Sequence, residues 1–248
     1  MQYYGKSHIG LHRRNNQDSI CLAENEEHSV LGVVCDGIGG GRAGDVASNM
    51  ATSHIKDRFL KTSFKGKNDQ EVKSWLTTII HEANDLIFAS AAKNENYRGM
   101  GTTMVGVLYC NKVTYVFNVG DSRTYGLYQN DFLCLTEDHS FVADLVKSGK
   151  ITMEEAQHHP RRNVLTNALG IWNAIRIDIN KVKDGYRLLL ICSDGLHGYV
   201  KEDAILHVLL EQKDMHTKVD ELITKALEVG GYDNISVILM GEEDCTHV

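Results

Sequence analysis

Apolar positions along the chain fall into two rhythms, and the order in which they alternate sets the predicted elements. Residues 29–35, SVLGVVC, form a short apolar run bounded by polar residues, which predicts a buried strand ending at Asp36. The glycine-rich DGIGGGRAG follows, and Val46, Ala47, Met50, Ala51, Ile55 and Phe59 then recur at helical spacing. After the polar break KGKNDQ, Val72, Leu76, Ile79, Ile80, Ala83, Leu86 and Ile87 mark a second amphipathic helix. From Thr102 to Leu135 the rhythm is strand-like, in TTMVGVLYC, KVTYVFNV, RTYGLYQ and DFLCL. Asn111, Gly120-Asp121 and Asn130-Asp131 separate these runs, which predicts antiparallel hairpins. Residues 139–170 read as a polar helical region containing the basic HHPRRN segment at 158–163. Ile175, Ile177 and Ile179 alternate as a strand, and YRLLLICSD predicts another. Two amphipathic helices follow over 201–211 and 216–229, before a last strand, NISVILM. Helix pairs between blocks of antiparallel strands predict an α+β layered sandwich and not an alternating βαβ fold.

Composition narrows the functional classes. The 248 residues include a single proline, Pro160, and no low-complexity stretch, so nothing marks a linker and one domain is expected, over 1–242 with a short tail at 243–248. The balance of 33 acidic against 26 basic side chains leaves a formal charge of −7. A nucleic-acid partner, which would call for a basic excess or a clustered basic face, is therefore not expected. The opening MQYYGKSHIG lacks the apolar core of a secretory signal, and aliphatic runs such as Leu188 to Cys192 are too short to span a bilayer. The expectation is a soluble, cytoplasmic protein with no membrane partner. Its six cysteines (Cys21, Cys35, Cys110, Cys134, Cys192, Cys245) contain no CxxC pair and are expected to be buried, reduced thiols.

Candidate chemistry centres on aspartates placed alike. Asp36 follows VLGVVC, Asp194 follows LLLICS and Asp233 precedes ISVILM, so each lies at a strand end. Asp121 sits in the NVGDSR turn between two predicted strands. Glycine or asparagine follows the first three, which lets the backbone turn sharply there. Singly, each is also an ordinary turn dipeptide. Gathered from several strand ends, the carboxylates would repel one another unless protonated or bound to cations, and an all-oxygen set favours Mg²⁺ or Mn²⁺ over zinc. Arg13, five residues before Asp18, is suited to gripping a phosphate bidentately.

Competing motifs fit less well. Gly39, Gly41 and Gly44 satisfy GxGxxG between a strand and a helix, but Asp36 would place a carboxylate near a pyrophosphate. No second strand with an acidic end follows about 20 residues later, as that fingerprint requires. Gly44 is followed by Asp45, which excludes a P-loop. The twelve histidines form no HExxH, and His158-His159 reads as a solvated loop. No GxSxG occurs.

With these residues assembled, the sequence resembles the metal-dependent protein Ser/Thr phosphatases of the PPM (type 2C) family, in particular compact bacterial members. The resemblance rests on GLHRRNNQD at 10–18, VVCDGIGGGRAGDVAS at 33–48, GMGTT at 99–103, NVGDSRTY at 118–125 and LTEDHS at 135–140. It continues through HPRRNVLTNALG at 159–170, CSDGL at 192–196 and GGYDNISV at 230–237. It implies a four-layer α/β/β/α sandwich of two antiparallel sheets with helices outside, and a small flap subdomain over about 139–170. It further implies that Asp36 bridges two Mn²⁺ or Mg²⁺ ions, that the Gly37 carbonyl binds the second, and that Asp194 and Asp233 hold the first. Asp121 and Asp194 would take a third, weaker ion. Arg13 would grip the substrate phosphate and Asp18 would orient the metal-bound water.

Two ions held about 3.5–4 Å apart lower the pKa of a shared water, so hydroxide becomes available near neutral pH for in-line attack. The expected partners are phosphoserine or phosphothreonine proteins and a cognate bacterial Ser/Thr kinase, with the phosphatase a monomer. Three positions depart from the family pattern. Gln17 stands where many members carry Glu, Ile38 replaces the histidine of DGHGG, and Gly41 replaces a frequent histidine. Those departures bear on rate and metal affinity and not on activity; the second reading is a catalytically weak phosphoprotein-binding or regulatory module of the same fold.

Overall fold

The computed structural model describes residues 1–38, 43–129 and 131–241. Gly39, Gly41, Asn130, Cys245 and the tail at 243–248 lie outside the described residues. In chain order the strands are β1 (Gln2–His8), β2 (Asp18–Glu24), β3 (Val30–Ile38), β4 (Gly101–Thr102), β5 (Met104–Cys110), β6 (Val113–Val119), β7 (Arg123–Leu127), β8 (Phe132–Cys134), β9 (Asp178–Lys181), β10 (Leu188–Cys192) and β11 (Ile235–Gly241). The α-helices are α1 (Gly44–Leu60), α2 (Asp69–Lys93), α3 (Phe141–Lys147), α4 (Met153–His158), α5 (Asp194–His197), α6 (Glu202–Leu210) and α7 (Met215–Glu228).

One sheet runs β1-β11-β10-β7-β8, the other β2-β3-β5-β6-β9 with β4 beside β3. Alternate side chains of the central strands feed different cores, which is why those strands read as continuous apolar runs. In β11, Ile235, Val237 and Leu239 face α5, α6 and α7, while Ile238 and Met240 enter the layer between the sheets. In β3, Leu31, Val33 and Cys35 face α1 and α2, while Val30 and Val34 meet Ile238 and Met240 from the other side. Three apolar layers between four layers of backbone give the α/β/β/α sandwich expected from the resemblance.

Helix α2 starts on a capping box, Asn68 Oδ1 accepting from Glu71 N while Glu71 Oε2 accepts from Asn68 N.

Four local expectations are corrected. Residues 2–8, read as a polar opening, form edge strand β1, paired with β11 from Gln2↔Gly241 to His8↔Ile235. Only one face of an edge strand need be apolar, so its pattern is weak. The runs around Gly120-Asp121 are not a hairpin, because β6 lies in one sheet and β7 in the other, and the chain crosses between sheets there. Ile175 and Ile177 precede β9 and pack on the core beneath α1 and α2 without being strand residues. Cys134 is exposed on edge strand β8, unlike Cys21, Cys35, Cys110 and Cys192, which are buried.

Residues 141–166 make an excursion from the sandwich in which no side chain is buried. Its ends are pinned by Phe141 N donating to Val164 O at 2.8 Å and Thr166 N donating to His139 O at 2.9 Å. Among the described residues no helix is long and apolar enough to cross a membrane.

Candidate active site

The starts of β2, β7 and β11 and the ends of β3 and β10 meet at one rim of the sandwich. Asp18, the first residue of β2, is paired directly opposite Asp36 of β3, so their side chains leave the same face of the sheet. Asp36 lies within β3 and not after it, and the threonines of the GTT segment hold its backbone. Thr103 Oγ1 accepts from Asp36 N at 2.9 Å, and Asp36 O accepts from Thr103 N at 2.8 Å and Thr102 Oγ1 at 2.9 Å. From the other sheet, Asp194 follows β10 and Asp233 precedes β11. In that sheet Cys192 pairs with Arg123, so the residues just beyond, Asp194 and Asp121, emerge at the same edge.

Several contacts lock the two sheets together beneath the rim. Ser193 Oγ donates to Asp18 Oδ2 at 2.7 Å and accepts from Ser236 N at 3.0 Å, linking β2 to β10 and β11. Gly37 is packed so that an added Cβ would lie 2.2 Å from Gly44 O and 2.5 Å from Gln17 O, both backbone atoms. Only glycine fits there. At Gly195 the same test places a Cβ 1.8 Å from Asn234 O.

Asn234, read from the sequence only as a turn residue, organises the loop that carries Arg13. Its Oδ1 accepts from Gln17 N at 2.8 Å, and its Nδ2 donates to Ile9 O at 2.8 Å and Asn15 O at 3.1 Å. Arg13 itself donates from Nη2 to Asp233 Oδ2 at 2.6 Å and from Nε to Tyr232 O at 3.3 Å.

Crowded carboxylates in a partly dry rim hold their protons tightly. Burial raises the Asp36 carboxyl well above the usual range, and the charges of Asp18, Asp194, Asp121 and Asp233 add to the effect. Asp18 is pushed up to about 7 by burial and by Asp194 and Asp233, against hydrogen bonds from Ser236 and Ser193. Burial and Asp194 push Asp121 to about 8, with Asp138 adding and Arg123 opposing. Burial and Asp233 raise Asp194 to about 6, opposed by its hydrogen bond with Asp36 and by Arg13. His197, behind the rim with Nε2 at 3.0 Å from Asp121 O, is lowered to about 3 by burial and by Arg123.

These features fit divalent cations. Asp18 Oδ1 and Asp194 Oδ1 are buried and have no hydrogen-bond partner among the described residues, and the donors at the rim are all oxygens, as Mg²⁺ and Mn²⁺ prefer. Among the described residues no three acidic, histidine or cysteine side chains stand around one point as a finished coordination sphere. Asp233 Oδ2 is held by Arg13 and Asp18 Oδ2 by Ser193.

A second polar cluster, centred on a histidine with no motif around it in the sequence, joins this rim to the excursion. His139, placed by the sequence reading inside the flap, is 1% exposed. Its Nδ1 accepts from Asn167 Nδ2 at 2.7 Å and Gly120 N at 3.3 Å, while Nε2 lies 2.9 Å from Asp178 Oδ2 and 3.2 Å from Arg176 Nε. Burial raises the Asp178 carboxyl, but hydrogen bonds from His139 and Arg176 outweigh it and the net shift is downward. His139 thus belongs to the frame holding the Asp121 loop.

Comparisons with known proteins agree with this architecture. Residues 4–229 match the family model described as protein phosphatase 2C. The chain is 39% identical over 238 residues to the serine/threonine phosphatase stp of Listeria monocytogenes, covering 96% of this chain and 94% of that one. It is 33% identical over 239 residues to protein phosphatase PhpP of Streptococcus pneumoniae, covering 95% and 96%. The crystal structure of serine/threonine phosphatase Stp1 from Staphylococcus aureus superposes with a TM-score of 0.92 at 35% identity, covering 98% of this chain and 95% of that one. The chain belongs to the protein phosphatase 2C family.

Proposed function

We propose that this enzyme removes phosphate from phosphoserine and phosphothreonine in proteins, using two Mn²⁺ or Mg²⁺ ions and, more weakly, a third. The observation that carries the reading is the convergence of Asp18, Asp36, Asp121, Asp194 and Asp233, from both sheets, on one rim, where burial and neighbouring carboxylates raise the pKa of Asp18, Asp36, Asp121 and Asp194. Asp36, the Gly37 carbonyl, Asp194 and Asp233 would hold the two main ions, with Asp121 and Asp194 taking the third. When bound, the ions supply an acidified water and a positive field over the phosphoryl oxygens.

The chain's own residues do the remaining work. Arg13, released from Asp233, turns its guanidinium to the phosphoryl oxygens and orients them. Asp18, fixed by Ser193, orients the attacking water. With Ile38 where a histidine would stand, the leaving Ser or Thr oxygen takes its proton from solvent. Positioning and electrostatics, not a protein nucleophile, account for the rate. Residues 141–166 act as the flap over the site. The enzyme works in the cytoplasm as a monomer and opposes a Ser/Thr kinase. Intact Asp36, Asp194 and Asp233 argue against the regulatory-module reading.

The test is hydrolysis of a phosphothreonine peptide by the wild type with Mn²⁺, by the wild type with chelator, and by Asp36→Asn and Asp194→Asn with Mn²⁺. Loss of activity in the last three is expected, and equal rates in all four would sink the reading.

A further inference from the structure

Beside Arg13 the surface carries an apolar ledge that the phosphate chemistry does not use. Tyr232 is 52% exposed, Tyr199 38% and Leu11 64%. The Tyr199 and Tyr232 rings lie 5.6 Å apart, and His12 stacks on Tyr232 at 5.1 Å with 16° between planes. Leu11 N donates to Gly231 O at 2.7 Å, which draws Leu11 against the same turn. Scattered exposed apolar groups are ordinary, whereas stacked rings with an exposed leucine on the same turn, at the mouth of a polar site, suit a binding surface.

The ledge is built before any ligand arrives. Gly230, at φ +130°, lets the Tyr232 ring lie over its backbone, where a Cβ would fall 2.2 Å from the ring. His12 covers the ring from another side, so its orientation is fixed and contact with it costs little conformational entropy. Neither phenol makes a hydrogen bond among the described residues. What the ledge offers is therefore ring faces and not a polar address.

Its position relative to the chemistry is set by the backbone. Arg13 Nε donates to the carbonyl of Tyr232 itself, while Nη2 holds Asp233. Tyr199 follows helix α5, whose first residue is Asp194, and its ring meets that of Tyr232, so it stands beside the site. An extended peptide advances about 3.3–3.6 Å per residue, which brings residues next to the phosphorylated one onto this ledge when Arg13 grips the phosphate. The ring faces and Leu11 favour an apolar side chain there.

Resting on the proposed role of Arg13, we infer that Tyr199, Tyr232, His12 and Leu11 form a substrate subsite. It receives a bulky apolar or aromatic side chain within two residues of the phosphoserine or phosphothreonine. The ledge makes the enzyme selective for sequence around the phosphate, through binding contacts remote from the reacting atoms.

Peptides carrying one phosphothreonine in a glycine-serine host, with Phe, Leu or Gly at each of the two positions on either side, test this with Mn²⁺ present. We expect kcat/KM for Phe over Gly of about tenfold at one of these positions, equivalent to about 1.4 kcal/mol and expressed mainly in KM. Tyr199→Ala and Tyr232→Ala bring that ratio close to one, and Tyr232→Phe restores it because the ring face is kept. General damage to the site lowers both peptides alike and leaves the ratio unchanged. Ratios near one at every position in the wild type overturn the subsite. So do ratios that neither alanine variant changes, or alanine variants whose only effect is on mass in sedimentation, which would mark the ledge as a contact between copies of the chain. p-Nitrophenyl phosphate separates the two levels: Mn²⁺-dependent turnover of it with ratios near one removes the ledge and leaves the phosphatase reading, whereas no turnover of any substrate removes both.

Discussion

Replacing Asn234 with alanine isolates the scaffold of the site from its chemistry. The side chain is 4% exposed and touches neither substrate nor metal in the proposed mechanism, yet it makes three hydrogen bonds to the backbone of residues 9–17. Each such bond contributes about 1 kcal/mol net, and more where the abandoned partner stays out of reach of water. The loss is therefore about 3 kcal/mol. For a chain of this length each kcal/mol moves Tm by roughly 2–4 °C, so a fall of about 6–12 °C is expected. The released loop carries Arg13 and Arg14, both exposed, and trypsin cleavage after them should become markedly faster than in the wild type. KM for a phosphothreonine peptide should rise because Arg13 loses its fixed position. Asn234→Asp is the informative partner. It keeps the acceptor for Gln17 N but turns oxygen toward the carbonyls of Ile9 and Asn15, so it should be no better than alanine. An Asn234→Ala protein with wild-type Tm, tryptic lag and KM would refute the claim that this side chain holds the loop.

Three further outcomes follow from the rim. Asp36→Asn should raise the Tm of the metal-free protein at alkaline pH, where the buried carboxyl would otherwise be driven to ionise among Asp18, Asp194 and Asp121, while abolishing the Tm increase on adding Mn²⁺; a preserved Mn²⁺ shift would remove Asp36 from the metal site. In chelator, stability should rise as pH falls from 8 toward 5. Asp18, Asp121 and Asp194 have folded values of about 7, 8 and 6 against an ordinary 3.8, so their contribution is fully present below about 3.8 and is lost as pH rises through 6–8. Saturating Mn²⁺ should flatten or invert that trend, and a metal-free Tm that climbs with pH across this window would contradict the raised values. Arg13→Ala should raise KM for phosphopeptide more than it lowers kcat, and should also lower the apparent Kd for Mn²⁺ by freeing Asp233; weaker Mn²⁺ binding would mean that the ion pair and the cation do not compete.

The central strands and long helices were legible because their burial writes itself into residue order. Leu31, Val33 and Cys35 against Val30 and Val34, or Ile238 and Met240 against Ile235, Val237 and Leu239, are apolar on both faces because each strand lies between two cores. Strand β1 was invisible for the opposite reason, since Gln2, Lys6, Ser7 and His8 carry no apolar signal and gain their structure from pairing with β11. Asp36, Asp194 and Asp233 stood out because each adjoins a strong strand signal and a residue that turns easily. Ser193, Asn234 and His139 did not, because a serine, an asparagine and a histidine gain meaning only from the partners that folding brings to them. Tyr199 and Tyr232, far apart in the chain, share a ledge for the same reason.

The residue order alone determined which segments are buried, the α+β class and the set of acidic residues with the family they point to, because apolar periodicity and local turn chemistry are short-range properties. Only the tertiary structure decided that the chain changes sheets at Gly120-Asp121, that Asp18 stands opposite Asp36, that Asn234 ties down the arginine loop and that aromatic rings from two loops meet beside Arg13. Those are contacts between residues distant in sequence, fixed by strand register and by the packing of one sheet on the other, and no local pattern along the chain encodes them.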